Sequence, residues 1–387
     1  LGYKLDIDTD VFYSFVAMVV LDALFSSPSA PVRLKILEKN LAKDMYVRLM
    51  QRCRTDFFIF FEDIEPENQD KIVQLVQDKL KKISVNGLDK TLLEGAISNL
   101  EFEWKEANIH NSHALFYLFK ACDYWYYGED IFEVLNISKI IGKLRDCAKG
   151  DFFEDFIRQY LVNCSFISKC ILKPAPGKNE ADDKKIADEL KSLKDALSEE
   201  RLQSILKLNE KLKNLSERDC KDVNIPSLAL SDVKSDIWNC YYNVEKRGGV
   251  TFLHVENSSS DIVYFDFAFE INGIDSSKLP LISFLTDLLT QVDTKNYSYE
   301  ELNKRFAVST GEVIEHKDTH KITLRIIWNI KALRHKLDDM FTLMSEVAHL
   351  SIFENDKRIK EVLESTILKM ESGFLYRGDY VVRSRIS

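Results

Sequence analysis

Apolar and polar positions along the chain fall into two series of elements in the same order, on either side of a strongly charged middle stretch. In the first series, residues 11–25 form a long apolar run that predicts a buried helix, and residues 32–40 predict a short amphipathic one. Residues 45–50 and 57–63 read as strands, and 69–83 and 89–106 carry helical periodicity. After residue 275 the order returns. Residues 279–292 and 299–306 are helical, 307–315 and 321–330 strand-like, and 333–350 and 356–373 helical again. No residue-level identity links the two series, so the repeat is one of pattern. A doubled helix-and-strand unit around a hairpin predicts an α+β fold with facing lobes, and facing lobes predict a chamber.

Turn residues punctuate this order. Ser26-Ser27-Pro28-Ser29-Ala30-Pro31 ends the first helix, because proline cannot continue the hydrogen-bond ladder and restricts the residue before it. Pro31 suits the first turn of the next helix. Phe57-Phe58-Ile59-Phe60-Phe61 lacks polar alternation, which predicts a strand covered on both faces. Pro66 opens a helix, and Asn86-Gly87 makes a turn between two helices. Residues 110–127 form an aromatic-rich helix ending near Gly128. Residues 151–162 are amphipathic, with Phe152, Phe156 and Tyr160 at four-residue spacing, and 165–172 read as a strand.

Composition then shifts. Lys173-Pro174-Ala175-Pro176-Gly177 is a linker signature. Ile186, Leu190, Leu193 and Leu197 form a narrow apolar seam of coiled-coil type. Ser198 can cap the next helix, and Glu199 and Glu200 in its first turn suit the helix dipole. Leu202, Ile205, Leu208, Leu212 and Leu215 make a second seam. Two narrow seams with charged backs predict an antiparallel helix pair connecting larger bodies. Residues 219–235 read as an extended crossing. Strands are expected at 240–244 and 251–255 about a Gly248-Gly249 turn, and at 263–269, closed by Asn272-Gly273.

With 387 residues and 45% hydrophobic content, the chain can hold two or three lobes with ordinary cores. A net charge of −9 argues against a nucleic-acid binder and is compatible with attracting basic peptides. Seven cysteines, Cys53, Cys122, Cys147, Cys164, Cys170, Cys220 and Cys240, make an odd number with no CxxC, as expected of free thiols in a reducing compartment. The start, Leu1-Gly2-Tyr3, has neither an initiator Met nor a basic leader and predicts a piece of a longer polypeptide. No membrane span is expected, because residues 11–25 are too few and include Asp22.

Catalytic chemistry is hard to find. Neither HExxH nor HxxEH occurs, and GxSxG, GxGxxG and the P-loop pattern are absent. His316 and His320 flank Lys317-Asp318 between two strand-like segments, which predicts a solvated turn rather than a metal site. His110 and His113 sit near a helix start, where capping or surface polarity explains them. Trp125-Tyr126-Tyr127 could stack on a ligand, with packing at a helix end as the competing reading. From residue chemistry alone, the site residues number none: no catalytic, metal-binding or cofactor-binding side chain is assigned.

Several stretches resemble presequence proteases of the pitrilysin/insulinase superfamily of zinc metallopeptidases. Trp125-Tyr126-Tyr127-Gly128-Glu129-Asp130 resembles that subfamily's W-x-Y-G-x-D-P, with Ile131 in place of the proline. Phe153-Glu154, Ile157-Arg158, Tyr160-Leu161 and Asn163 resemble its F-E-x-x-I-R-x-Y-L-x-x-N, the Asn one position early. Leu197-Ser198-Glu199-Glu200 resembles the hairpin turn, and Pro226-Ser227-Leu228-Ala229-Leu230-Ser231-Asp232 the P-S-L-x-L-S-D crossing. Gly248-Gly249-Val250, Asn272-Gly273 and Tyr297-Ser298-Tyr299-Glu300-Glu301-Leu302 continue the match in order.

The resemblance implies four related α+β lobes in two halves, joined by a long antiparallel helical hairpin and enclosing a chamber in which unstructured peptides are cut. It implies that residues 1–173 are part of a second lobe, 174–220 the linker and hairpin, and 221–387 a third lobe. It further implies a zinc metalloendopeptidase parent, in which a glutamate of an HxxEH helix activates zinc-bound water. That motif would lie before Leu1, so zinc is a cofactor of the parent and none is expected here. The implied partners are unstructured peptides and the remaining lobes, with no nucleic acid and no membrane. The implied location is intracellular and reducing: cytoplasmic in a bacterium, an organelle matrix in a eukaryote. Two further readings stay open, a catalytically inactive relative serving as a scaffold or peptide-binding subunit, and an adaptor acting through the hairpin.

Overall fold

Gly2–Lys4 forms a first strand (β1), too short to carry a sequence pattern. The computed structural model describes residues 1–5, 7, 10–27, 29–50, 55–106, 113–216, 229–232, 241–256, 261–271, 273–311, 313–318, 325–376, 378 and 382. Helix Val11–Leu21 (α1) is capped by Asp10, whose side chain accepts from the Tyr13 N–H at 2.9 Å. The ladder then widens into a π-turn over Asp22–Ser26, where Ser27 N–H bonds the Asp22 carbonyl at 3.2 Å. The expected single helix is therefore an α-helix with a π-helical end. Phe15, Val16, Leu24 and Phe25 are fully buried, so the core covers this apolar run.

Pro31–Glu38 (α2) leads to Asp44–Met50 (β2) and Asp56–Glu62 (β3), then Gln69–Asn86 (α3) and Lys90–Glu106 (α4). Gly87 makes the turn between these last two helices at φ +94°, a conformation that favours glycine. His113–Trp125 (α5), Ile131–Leu135 (α6), Ile137–Cys147 (α7) and Phe152–Phe156 (α8) follow, the last continuing as a π-turn over Ile157–Val162. Tyr13 packs against Phe152, Phe156 and Tyr160, which accounts for their spacing. The strand expected over 165–172 shrinks to Ile167–Ser168 (β4), because its partner β1 is itself only three residues long. The first sheet has the order β2-β3-β1-β4, with β1, β2 and β3 antiparallel to their neighbours.

The chain divides into two compact units, Leu1–Lys169 with Ser258–Ser387, and Cys170–Asn257. The second unit holds Lys178–Ala196 (α9), Glu199–Ser216 (α10), and the antiparallel ribbon Tyr242–Arg247 (β5) with Val250–Val255 (β6). Most of the crossing expected over 219–235 lies outside the described residues. Both helices form as expected, but neither buries a residue. Leu190 and Leu208 stand 59% and 67% exposed, so the two apolar seams are not closed against each other.

The first unit resumes with Ile262–Glu270 (β7), Leu279–Leu288 (α11), Tyr299–Ser309 (α12), Val313–Asp318 (β8), Arg325–Leu333 (β9), Leu337–Leu350 (α13) and Asp356–Tyr376 (α14). The second sheet has the antiparallel order β7-β9-β8. Thus β1-β3-β2 and β7-β9-β8 share one topology, and the doubled order of the sequence is a doubled order in space. Residues 307–309 correct the sequence reading: they end α12 instead of opening a strand, because Ala307 packs on α4 and tertiary contact overrides the β-propensity of Val308. Lys317 and Asp318 belong to β8, opposite Ile326 and Arg325, where a turn was expected. The helix expected over 279–292 ends at Leu288, and Thr290 lies at φ +67°.

Candidate functional surfaces

Two halves of the first unit meet where α4 crosses α12. Gly95 opens the space: a Cβ built on it would stand 3.0 Å from the Ala307 Cβ. Below it, Phe102, Ile262 and Leu333 form a small buried cluster that joins α4 to β7 and β9. Ion pairs flank the crossing. Lys304 Nζ meets Asp89 Oδ2 at 2.7 Å, and Lys331 Nζ meets Glu106 Oε2 at 2.7 Å. Burial alone would raise the Asp89 carboxyl, but donation from Lys304 and from the Thr91 N–H holds it below the usual carboxylate range. On the same side the Tyr264 hydroxyl donates to Glu106 Oε1 at 3.3 Å, and burial together with that carboxylate pushes it up to about 12.

The first sheet has one buried and one open face. Phe57 and Ile59 are buried beneath it, whereas Phe60 is 37% exposed and Tyr46 48% exposed. The expectation that this strand is covered on both faces is therefore corrected: alternate rings point outward. Tyr46 and Phe60 stack with centroids 4.6 Å apart and planes 11° from parallel, and Phe58 lies 6.2 Å from Phe60. Tyr46 faces Phe60 directly in the register, so the stack follows from cross-strand pairing. Hydrophobicity alone could not separate these two faces, because aromatic residues occupy both.

Among the described residues no group of three His, Cys, Asp or Glu side chains is gathered to hold a metal ion, so the zinc implied for the parent finds no ligand set there. His110 and His320 lie outside the described residues, and His113 and His316 outside the described side chains. The described free cysteines are Cys122, Cys147, Cys164 and Cys170. Cys53, Cys220 and Cys240 lie outside the described residues. Trp125 and Tyr126 are 67% and 78% exposed, so the packing reading for this triplet does not hold. Tyr126 and Tyr127 touch edge to face at 5.2 Å.

Helix α7 carries no residue singled out in the sequence, yet Ile140, Ile141 and Leu144 are buried and Arg145 bridges Glu94 and Glu101 on α4 at 2.9 and 3.0 Å. Asn136, which caps it through the Lys139 N–H, was the available signal.

Residues 172–387 match the family described as peptidase M16 subfamily C associated. The chain is 24% identical over 375 residues to Protein HypA of Clostridium perfringens, covering 94% of this chain and 38% of that protein. It is 24% identical over 398 residues to Presequence protease 1, chloroplastic/mitochondrial, of Arabidopsis thaliana, covering 99% of this chain and 36% of that one. The solved structure of pitrilysin aligns with 96% of this chain and 38% of its own at 12% identity and a TM-score of 0.47. The chain therefore spans less than two fifths of the length of these relatives. With more than half of its residues inside the family match, the chain belongs to that peptidase-associated family and is a presequence protease-like member of the pitrilysin/insulinase superfamily.

Proposed function

We propose that this chain is a non-catalytic part of a zinc metalloendopeptidase that degrades unstructured peptides inside a closed chamber, and that it forms chamber wall and hinge. The observation that carries the reading is the doubled sheet order, β2-β3-β1 and β8-β9-β7, in a chain aligned along nearly its whole length with relatives named presequence proteases. In this reading residues 1–173 close a second lobe, 174–220 are linker and hairpin, and 221–387 form a third lobe. Zinc and the residues that use it are assigned to parts of the polypeptide outside this chain, whose sequence contains neither HExxH nor HxxEH. No site residue for catalysis or metal is assigned here.

What this chain contributes is geometric. The open face carrying the Tyr46–Phe60 stack offers an apolar wall on which an extended peptide of varied sequence can lie. An enclosing wall admits peptides that fit and keeps folded proteins out. The α4–α12 crossing, small at Gly95 and Ala307, is the pivot about which the two lobes rock. Helices α9 and α10 bury no residue, so little packing resists their movement as a hinge. The proposed setting is intracellular and reducing, an organelle matrix in the case of a eukaryotic bearer; relatives carry names specifying mitochondria or chloroplasts and mitochondria.

The test uses the complete reading frame that contains this chain. Its product is expected to cleave an unstructured peptide and to leave the same sequence intact inside a stably folded domain. Equal cleavage of both would remove the enclosed-chamber reading.

A further inference from the structure

Helix α5 is apolar on two opposite sides. Its inner side is covered: Phe116 and Tyr117 pack around Trp104, Tyr124 is 4% exposed, and the Tyr117 hydroxyl donates to the Trp104 carbonyl at 3.0 Å. Its outer side is not. Leu115, Leu118 and Phe119 are 50%, 54% and 63% exposed, and Trp125, Tyr126 and, on α6, Phe132 are 67%, 78% and 74% exposed. The positions 115, 118, 119, 122 and 126 repeat at helical spacing, with Cys122 also exposed, so these side chains form one stripe rather than scattered surface residues. A helix apolar nearly all round is the pattern of a helix buried on all sides, and a contiguous outward apolar face marks an interface.

We propose that this α5–α6 face is the docking surface for another part of the same polypeptide, an apolar surface with a basic rim. The inference rests on the reading that the chain is part of a longer protease. Length supplies the occupant: the relatives aligned with nearly all of this chain are covered over only 36% to 38% of their own length, so most of each lies outside the aligned span. Charge supplies its chemistry. Asp123, Asp130 and Glu133 stand exposed around the stripe, whereas Lys120, the one lysine of α5, lies over the Phe116 ring at 5.5 Å. A face so rimmed repels an acidic neighbour and accepts a basic one. Its apolar centre matches contacts made for good rather than transiently.

Hydroxyl-radical footprinting of the complete polypeptide and of this chain tests the proposal. Phe119, Trp125 and Phe132 should be labelled about fivefold less in the complete polypeptide, at every protein concentration and without added peptide. Trp104, 2% exposed, is the internal reporter of an intact core. Phe119→Glu in the complete polypeptide should restore labelling of Trp125 while Trp104 stays protected; if that variant fails to fold, Phe119→Ala with the same two readouts replaces it. Equal labelling in both proteins overturns the proposal. Protection that grows with the concentration of this chain alone would make the face a contact between copies. Protection that needs an added Arg-rich amphipathic peptide would make it a peptide site. A complete polypeptide that hides the face but cleaves no peptide leaves the docking surface standing and removes the protease reading. One that cleaves peptides with the face still labelled does the reverse.

Discussion

Gly95 on α4 lies so close to Ala307 on α12 that an added Cβ would stand 3.0 Å from the alanine's own. Hydrogen is the side chain that lets these helices approach. Gly95→Ala should be nearly neutral, because its gain in helix propensity of about 1 kcal/mol offsets the crowding. Gly95→Leu should destabilise the chain by about 1–3 kcal/mol, since overpacking forces neighbouring side chains off their rotamers. Urea denaturation midpoints of the two variants check the ordering.

The ion pair between Lys304 and Asp89 bridges the same crossing at 2.7 Å. The folded Asp89 carboxyl lies below its usual range, so its stabilisation is fully present above the unfolded value of about 3.9 and is lost as pH falls through the folded value. Asp89→Asn should therefore lower stability at pH 7 and make no difference well below pH 3.9. With the Asp89 side chain 39% exposed, solvent screening keeps the loss under about 1 kcal/mol. Denaturation curves of both proteins at the two pH values measure it.

Glu154 is 5% exposed and accepts the Leu88 N–H at 2.9 Å, just ahead of α4. Glu154→Leu leaves that buried N–H unpaired and should cost about 1–3 kcal/mol. Glu154→Gln keeps an acceptor there and should cost less. Thermal unfolding of the pair separates the lost bond from lost packing.

Most of the fold was legible because period and punctuation agreed. Asn86-Gly87, Pro31 and Ser298, which caps α12 through the Glu301 N–H, mark element ends that the structure keeps within a few residues. What stayed hidden depends on contacts far apart in sequence. Strand β1 exists because Gly2, Tyr3 and Lys4 pair with Phe58, Phe57 and Asp56. The end of α12 is decided by Gly95, a residue more than two hundred positions earlier. The open side of the Phe57–Phe61 stretch was illegible because exposed and buried positions there carry the same residue type. Family membership was legible only through the order of short motifs.

The Tyr46–Phe60 stack is worth about 0.5–1.5 kcal/mol beyond burial, so Tyr46→Ala should leave the chain folded. In the complete polypeptide the same change should raise KM for unstructured peptides with little change in kcat, because a wall contact binds ground and transition states alike. A fall in kcat at unchanged KM would place this face outside peptide handling.

Zinc content and peptide cleavage, measured side by side on this chain and on the complete polypeptide after mild chelation, test the central claim most directly. The account predicts one tightly held zinc and cleavage for the complete polypeptide, and neither for residues 1–387 alone. Stoichiometric zinc or peptide cleavage retained by this chain by itself would contradict it.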